Sequence, residues 1–452
     1  MGMATKEITV QKVFESVSGA SSYQLWVCFL CFLVMFLDGF DGTILGVALP
    51  KMAEYLHANM TAMGLAGGAA SLGPLIGAVL LGMAADRFGR KWALVACSFV
   101  FGVFSLLTVF ITNVEQLVLL RFIAGIGLGG AIPNALAFGS EYAPSSSRKT
   151  FVASMYAGVP MGATVGGLVA AYFIPSFGWQ SLFVLGGTVP IVIALVAAVL
   201  LPESLEFLAG KGGNDERIRK IVARTAPAIA ADRDYMFIPT SKKLPGAPFK
   251  RLFTEGRAFI TVLFWIALMG GFYSLVILVA WAPALLHKSG ATVVQYSLAF
   301  ACLNFGSVIA SVTVGRLMDK GSPFRILEAG FVIAFVSLIV FGLLAGGSLL
   351  TIAAISVIAG FFVNGSYSGL LTITTLSYPT DIRGTATGWA YAIGRIGAIV
   401  APVAGGFLLT RGWSVTRICT TTAFVSLFVA AILLILQWRV TSADPSSARA
   451  LG

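Results

Sequence analysis

Four charged residues interrupt long apolar segments of this sequence: Asp38, Asp41, Arg121 and Arg395. Asp38 and Asp41 are three residues apart, so on a helix both carboxylates lie on one side. Two close carboxylates away from water hold a proton more readily than isolated ones, because burial and like-charge repulsion both disfavour ionisation. Such a pair could take up and release protons near neutral pH. The alternative is that one aspartate pairs with an arginine and holds helices together.

The two arginines suit anion binding or ion pairing. A guanidinium stays charged and can hold a carboxylate with two parallel hydrogen bonds. Arg121 opens a glycine-rich stretch that ends at Gly130, and it could serve coupling or gating, substrate binding or structural pairing. For Arg395, the choice is between substrate binding and structural pairing. We expect all four charged residues to line one shared, hydrated cleft.

Aromatic residues accompany these charges on segments that could line the same cleft. Trp389 and Tyr391 come one to two helical turns before Arg395. An aromatic wall beside an arginine suits a flat ring that carries a carboxylate, whereas the alternative for any one ring is contact with lipid or core. The candidate aromatic residues are Phe40, Tyr156, Tyr273, Trp281, Tyr367, Trp389 and Tyr391.

The composition shows what kind of element must position these residues. The chain has 452 residues, 58% of them hydrophobic and 11% charged, with a mean hydropathy of +0.91. Soluble domains are about 45 to 50% apolar and about 25% charged, so a water-soluble protein is excluded. The apolar runs are long and lack the alternation of a membrane β-barrel. We therefore predict an all-α polytopic membrane protein with 12 transmembrane helices of about 20 residues or more.

A polar segment divides the chain into two sets of six helices. We predict an N-terminal segment at 1–24, a first bundle at 25–201, a linker at 202–257, a second bundle at 258–437 and a tail at 438–452. With the N-terminus inside, 24 Lys and Arg residues fall on the inner side and four on the outer side. Since Lys and Arg favour cytoplasmic loops, both termini and the linker are predicted to be cytoplasmic.

Three sequence matches relate the two bundles. Gly82 to Asp86 recurs as Gly315 to Asp319, and Ile123-Ala-Gly125 recurs as Ile358-Ala-Gly360. Tyr142 to Arg148 similarly matches Tyr378 to Arg383 at nearly the same offset. Duplicated halves with a site between them are typical of transporters. None of the four buried charges has a charged counterpart in the other half, which favours functional roles for them.

Other classes of function lack the residues they need. All five cysteines lie in predicted spans, and the one Cys-x-x-Cys pair, Cys28 and Cys31, has no second such pair. A zinc site takes about four ligands, and the chain has two histidines, His57 and His287, so a zinc site is not expected. We find neither a catalytic constellation nor a phosphate-binding loop ending in Gly-Lys-Ser/Thr. The basic residues lie in loops between apolar spans, so nucleic acid is not expected as a partner. We predict no enzyme activity, no metal and no cofactor.

The segment from Gly82 through Asp86, Arg87, Gly89 and Arg90 to Lys91 resembles the loop signature of the major facilitator superfamily. Pro202-Glu203-Ser204 is similar to its ending of the sixth helix. Asp38-Gly-Phe-Asp41, with the stretch from Tyr378 to Gly397, resembles the aromatic acid:proton symporters of that superfamily. This resemblance implies the major facilitator fold, two pseudo-symmetric six-helix bundles, in a bacterial inner membrane.

The resemblance also implies roles for individual residues. Asp38 and Asp41 would couple protons, and Arg121 and Arg395 would serve transport and substrate binding. The second copy of the loop signature is degenerate, since Lys320 and Gly321 replace its Arg-x-Gly pattern. The expected cytoplasmic gate consists of Gly82, Asp86, Arg87, Gly89, Arg90, Lys91, Glu141, Arg148, Asp319 and Arg383.

The sequence thus predicts a monomeric, proton-coupled symporter that imports small aromatic carboxylates, such as hydroxybenzoate-type acids, by alternating access. Its partners would be the aromatic carboxylate, protons and the lipid bilayer. One alternative is an exporter or exchanger of other organic ions. Another is a sensor that binds aromatic acids without moving them.

Overall fold

The computed structural model describes residues 6–15, 21–143, 148–212, 214–232, 235–239, 249–254, 256–378 and 382–443. Within these residues, 12 helices are long and apolar enough to cross a membrane. This confirms the predicted all-α fold with its 12 transmembrane helices.

The first half begins with a short strand, β1 (Lys6–Thr9), and a short helix, α1 (Val10–Glu15). The first spanning helix starts at Ser22, slightly before the predicted span, because Ser21 and Gln24 form a capping box in which each side chain bonds the other's backbone N–H. The helices of this half are α2 (Ser22–Tyr55), α3 (Met60–Phe88), α4 (Arg90–Leu107), α5 (Val114–Tyr142), α6 (Arg148–Tyr156), α7 (Gly158–Phe177) and α8 (Gln180–Leu200).

Part of the linker is structured, and it packs against the first half. Its elements are α9 (Leu205–Lys211), α10 (Asp215–Val222), α11 (Pro227–Ala231), β2 (Tyr235–Ile238) and a 3-10 turn at Phe249–Phe253. Strand β2 pairs in parallel with β1, and the buried Val10 and Val13 belong to the same apolar cluster as Leu205 and Ile218. The N-terminal segment is therefore anchored to the linker.

The second half repeats the helix packing of the first. Its helices are α12 (Ala258–Lys288), α13 (Val293–Lys320), α14 (Pro323–Leu344), α15 (Leu349–Leu376), α16 (Arg383–Thr410) and α17 (Val415–Ala443). Gly125 packs on Pro74, where an added Cβ would lie 2.8 Å from the proline Cδ, and its sequence match Gly360 packs on Leu303, where a Cβ would lie 1.9 Å from the carbonyl oxygen. Both glycines thus permit a close helix crossing in their own half.

The two halves are joined at the helix ends that lie away from the linker. The Thr61 hydroxyl lies 2.9 Å from the Thr410 hydroxyl, and His287 Nε2 lies 3.3 Å from Glu54 Oε1. A Cβ at Gly406 would lie 2.2 Å from the Met60 carbonyl oxygen. These contacts hold the two halves together at this end.

Candidate functional site

A group of residues from both halves meets at mid-depth. Asp38 of α2, Arg395 of α16 and Tyr156 of α6 lie near one another. Arg395 Nη2 donates a hydrogen bond of 2.8 Å to the Tyr391 hydroxyl, and its guanidinium carbon lies 5.0 Å from the centroid of that ring. Tyr156 is 51% exposed and Tyr391 37%, so this group borders open space.

Two more aromatic rings extend the group on its second-half side. Tyr367 of α15 stacks on Phe272 of α12, with ring centroids 4.7 Å apart and planes at 24°, and Phe272 lies 6.3 Å from Tyr391. The buried Tyr367 hydroxyl has no hydrogen-bond partner among the residues that the structure describes. Such an unpaired hydroxyl costs about 1 to 3 kcal/mol, which a bound molecule could offset by bonding it. We call Asp38, Tyr156, Phe272, Tyr367, Tyr391 and Arg395 the central cluster.

The other two charges form a separate pair inside the first half. Arg121 Nη1 lies 3.0 Å from Asp41 Oδ1, and the Ser105 hydroxyl donates to that same oxygen at 3.0 Å. Arg121 Nη2 donates to the Thr108 hydroxyl at 2.8 Å. Arg121 is 1% exposed and Asp41 6%, so both residues are buried within the first half.

The expected shared cleft therefore contains only part of the four charges. At 3.6 residues per turn, positions three apart differ by about 60° around a helix. This rotation is enough to turn Asp38 toward the second half and Asp41 toward α4 and α5. Arg121 is further held by Phe183 of α8, whose ring centroid lies 5.1 Å from the guanidinium carbon. The geometry of this pair matches the alternative that an aspartate and an arginine hold helices together.

Glycines beside the charged residues bring their helices close to neighbours. A Cβ at Gly39 would lie 1.8 Å from the Val159 carbonyl oxygen of α7, whereas one at Gly42 would meet nothing within 4 Å. A Cβ at Gly397 would lie 2.1 Å from the Met269 carbonyl oxygen of α12. The backbone beside Asp38 and Arg395 is thus fixed against the helices on which it packs.

Four predicted aromatic residues lie outside the central cluster. Trp281 is fully buried in the core, and its Nε1–H donates a hydrogen bond of 3.1 Å to the Pro402 carbonyl oxygen. Phe40 is 7% exposed and belongs to the core. Tyr273 is partly buried and packs against that same core. Trp389 packs on Phe249, with ring centroids 4.5 Å apart, so it contacts the 3-10 turn that precedes α12.

The predicted gate residues with described side chains lie at the linker end of the first half. Arg90 forms an ion pair with Glu141 at the end of α5, and the Ser204 hydroxyl donates to Glu141 Oε2 at 2.7 Å. Gly89 adopts φ +105°, and a Cβ there would lie 2.4 Å from a Glu203 carboxylate oxygen. The loop signature therefore connects the corner between α3 and α4 to the ends of α5 and α8.

Other predicted gate residues lie near the same corner. The Arg87 guanidinium carbon lies 5.5 Å from the Phe88 ring centroid, and the Lys91 N–H donates to Glu203 Oε1 at 3.1 Å. Gly82 and Asp86 lie in the last two turns of α3, where a Cβ at Gly82 would meet open space. The side chains of Arg148, Asp319 and Arg383 lie outside the described residues.

Four residues that contact these groups received no role from the sequence: Phe272, Ser105, Thr108 and Ser204. Ser105 and Thr108 are three residues apart in a largely apolar span, so they lie on one helix face. That pattern could have identified them as partners for a buried charge. Phe272 carried no comparable signal, because aromatic residues are frequent throughout the spans.

Comparisons with known proteins agree with this architecture. The model of the Major Facilitator Superfamily matches residues 31–346 and 276–451. The chain is 36% identical over 440 residues to the 4-hydroxybenzoate transporter PcaK of Pseudomonas putida, covering 97% of this chain and 98% of that one. It is 30% identical to the benzoate transport protein of Acinetobacter baylyi, covering 90% and 88% of the two chains.

A solved structure shows the same fold. The partially occluded, inward open xylose transporter XylE of E. coli superposes with a TM-score of 0.71 at 15% sequence identity, covering 93% of this chain and 98% of that one. The family match, the full-length relatives and the fold agree with the resemblance in the loop signature. The chain therefore belongs to the Major Facilitator Superfamily, a family of transporters and not of enzymes.

Proposed function

We propose that this protein is a secondary active transporter that imports small aromatic carboxylates together with protons. The central cluster carries this proposal, because it combines an arginine, stacked aromatic rings and an acidic residue from the opposite half. The names of the relatives at 30 to 36% identity, which are transporters of 4-hydroxybenzoate and benzoate, support the same substrate class.

The substrate would lie between the halves with its carboxylate on Arg395. Tyr391 orients the guanidinium through their 2.8 Å hydrogen bond, and the stacked Tyr367 and Phe272 provide an aromatic surface for the ring. The unpaired Tyr367 hydroxyl could bond a hydroxyl on that ring. A charged group, an apolar wall and a few placed polar atoms are the usual composition of a small-molecule site.

Proton coupling would follow from competition for Arg395. Asp38 interacts with the Arg395 charge without forming a direct ion pair in the described contacts, so a substrate carboxylate has room to bind there. Once it does, Asp38 faces a second negative charge, and protonation of Asp38 removes that repulsion. Substrate and proton would therefore bind together more readily than either alone.

The two halves would then rock about this site to expose it to each side in turn. One proton with one carboxylate is electrically neutral, so the pH gradient alone would drive that step. A second proton would add about 2.3 kcal/mol for each 100 mV of membrane potential. With the linker on the inner side, as the Lys and Arg bias predicts, a gradient that is acidic outside would drive import.

Uptake by purified protein in liposomes tests the proposal. An imposed gradient, acidic outside, should drive accumulation of benzoate and hydroxybenzoates, and a protonophore should abolish it. Arg395→Ala should weaken binding of the acids about 10-fold or more, because hydrogen bonds to charged groups contribute about 1.5 to 3 kcal/mol. Arg411→Ala, which changes an exposed arginine just after the C-terminal end of α16, is the matched control.

The outcomes separate the alternatives. Equal affinity for an acid and its neutral amide would contradict the role of Arg395. Saturable binding without uptake would indicate a sensor. Counterflow without accumulation under a pH gradient would indicate an exchanger.

A further inference from the structure

A pocket of about 500 Å³ lies at the linker end of the first half, far from the central cluster. It is bounded by the end of α3, the start of α4, the chain after α8 and the linker helices α9 and α10. Four basic residues line it: Lys91, Lys211, Arg217 and Lys220. Lys91 belongs to the loop signature and the other three to the linker. The fold therefore brings together basic residues that are distant in sequence.

The pocket keeps most of its positive charge. Glu203 is the acidic residue among its lining side chains. Its Oε1 atom accepts hydrogen bonds from the backbone N–H groups of Lys91 at 3.1 Å and Ser204 at 2.8 Å. This carboxylate is therefore engaged by the backbone, and the lysine and arginine heads can meet an external anion.

Exposed aromatic residues place the pocket at the membrane surface. Phe88 is 62% exposed and Trp92 53%, and both lie at helix ends where the spans α3 and α4 meet the linker side. Aromatic rings at such positions commonly sit at headgroup level. The Lys91 Nζ atom lies 5.4 Å from the Trp92 ring centroid, so a cation and an interfacial ring share this rim.

We propose that the pocket binds a phosphate-bearing anion, and that this anion is the headgroup of an anionic phospholipid. Its phosphate would be held by the lysines and Arg217, while its acyl chains would run past Phe88 and Trp92 into the bilayer. Basic pockets on the cytoplasmic side of membrane helices suit anionic lipid headgroups. This inference does not depend on the transported substrate.

Native mass spectrometry of the protein from nanodiscs of mixed phosphatidylcholine and phosphatidylglycerol tests the site. Wild-type protein should retain phosphatidylglycerol beyond its share of the bilayer. The triple variant Lys211→Gln, Arg217→Gln, Lys220→Gln should lose at least 10-fold of this enrichment, because each basic residue near a membrane surface contributes roughly fivefold, or about 1 kcal/mol. The control variant Lys12→Gln, Lys250→Gln, Arg325→Gln removes the same charge from exposed residues outside the pocket.

A second arm identifies the source of the phosphate. Inorganic phosphate and glycerol 3-phosphate are added to protein in phosphatidylcholine alone, and thermal stability is measured. Lipid enrichment lost only in the pocket variant supports the proposal. Stabilisation by the soluble anions without lipid enrichment overturns the lipid assignment, and equal retention by wild type and both variants overturns the site.

Discussion

Asp38 and Asp41 lie in the same short motif, yet the structure predicts that their replacement by asparagine has different consequences. Asp41 is the counter-ion of Arg121 at 3.0 Å inside the first half. Asp38 lies among the central cluster and forms no direct ion pair in the described contacts. We therefore expect Asp41→Asn to act mainly on stability and Asp38→Asn mainly on proton coupling.

The size of the first effect follows from burial. Asp41→Asn would leave the Arg121 guanidinium, which is 1% exposed, with neutral partners only. Removing one partner of a buried ion pair costs about 3 to 5 kcal/mol, a large part of the stability of most proteins. Replacing both partners with apolar residues, as in Asp41→Leu with Arg121→Met, is often neutral. The double variant should therefore be more stable than Asp41→Asn.

Thermal unfolding of the detergent-purified protein and uptake by proteoliposomes measure the two effects separately. Asp38→Asn should retain nearly wild-type thermal stability and substrate counterflow but lose accumulation driven by a pH gradient. The reasoning fails if Asp41→Asn unfolds at the wild-type temperature while losing proton-driven accumulation. Full accumulation by Asp38→Asn would equally remove Asp38 from the coupling step.

Two further predictions concern residues near the same site. Gly39→Ala should destabilise the protein by about 1 to 3 kcal/mol, because its Cβ would lie 1.8 Å from the Val159 carbonyl oxygen. The control Gly42→Ala places its Cβ in open space and should leave the melting temperature unchanged or slightly higher. Equal melting temperatures for the two variants would contradict the helix contact. Tyr367→Phe should weaken binding of hydroxylated aromatic acids about 5- to 10-fold, the value of one hydrogen bond of about 1 kcal/mol. Binding of benzoate, which has no ring hydroxyl, should stay unchanged when both acids are compared by competition for uptake. An equal loss for both acids would show that the hydroxyl does not discriminate between them.

Contacts among the predicted gate residues lie within the first half. Arg90, Glu141 and Ser204 join three helix ends within one half, so the loop signature stiffens the first bundle as a unit. A rigid bundle is what rocking about a central site requires. In the proposed mechanism, the contacts that would break for the opposite state to form lie at the far ends of the helices, where Thr61 meets Thr410.

The sequence alone was sufficient for the number of spans and the division into two halves. Apolar runs of about 20 residues and the cost of a charge within lipid depend on local sequence, so Asp38 and Arg395 could be proposed as candidates without a fold. The repeat between Gly125 and Gly360 was also predicted, because close helix packing demands a small residue at each crossing.

Only the tertiary structure decided which charge faces which. Asp38 and Asp41 differ by a small rotation about one helix, and this rotation separates a residue in the cleft from one buried against Arg121. Tyr367 and Phe272 form a stacked pair although their helices are distant in sequence. Trp389 lies outside the central cluster, because it packs on Phe249 of the linker. Which side chains meet depends on how each helix is rotated and where it crosses its neighbours. Local sequence patterns do not specify either.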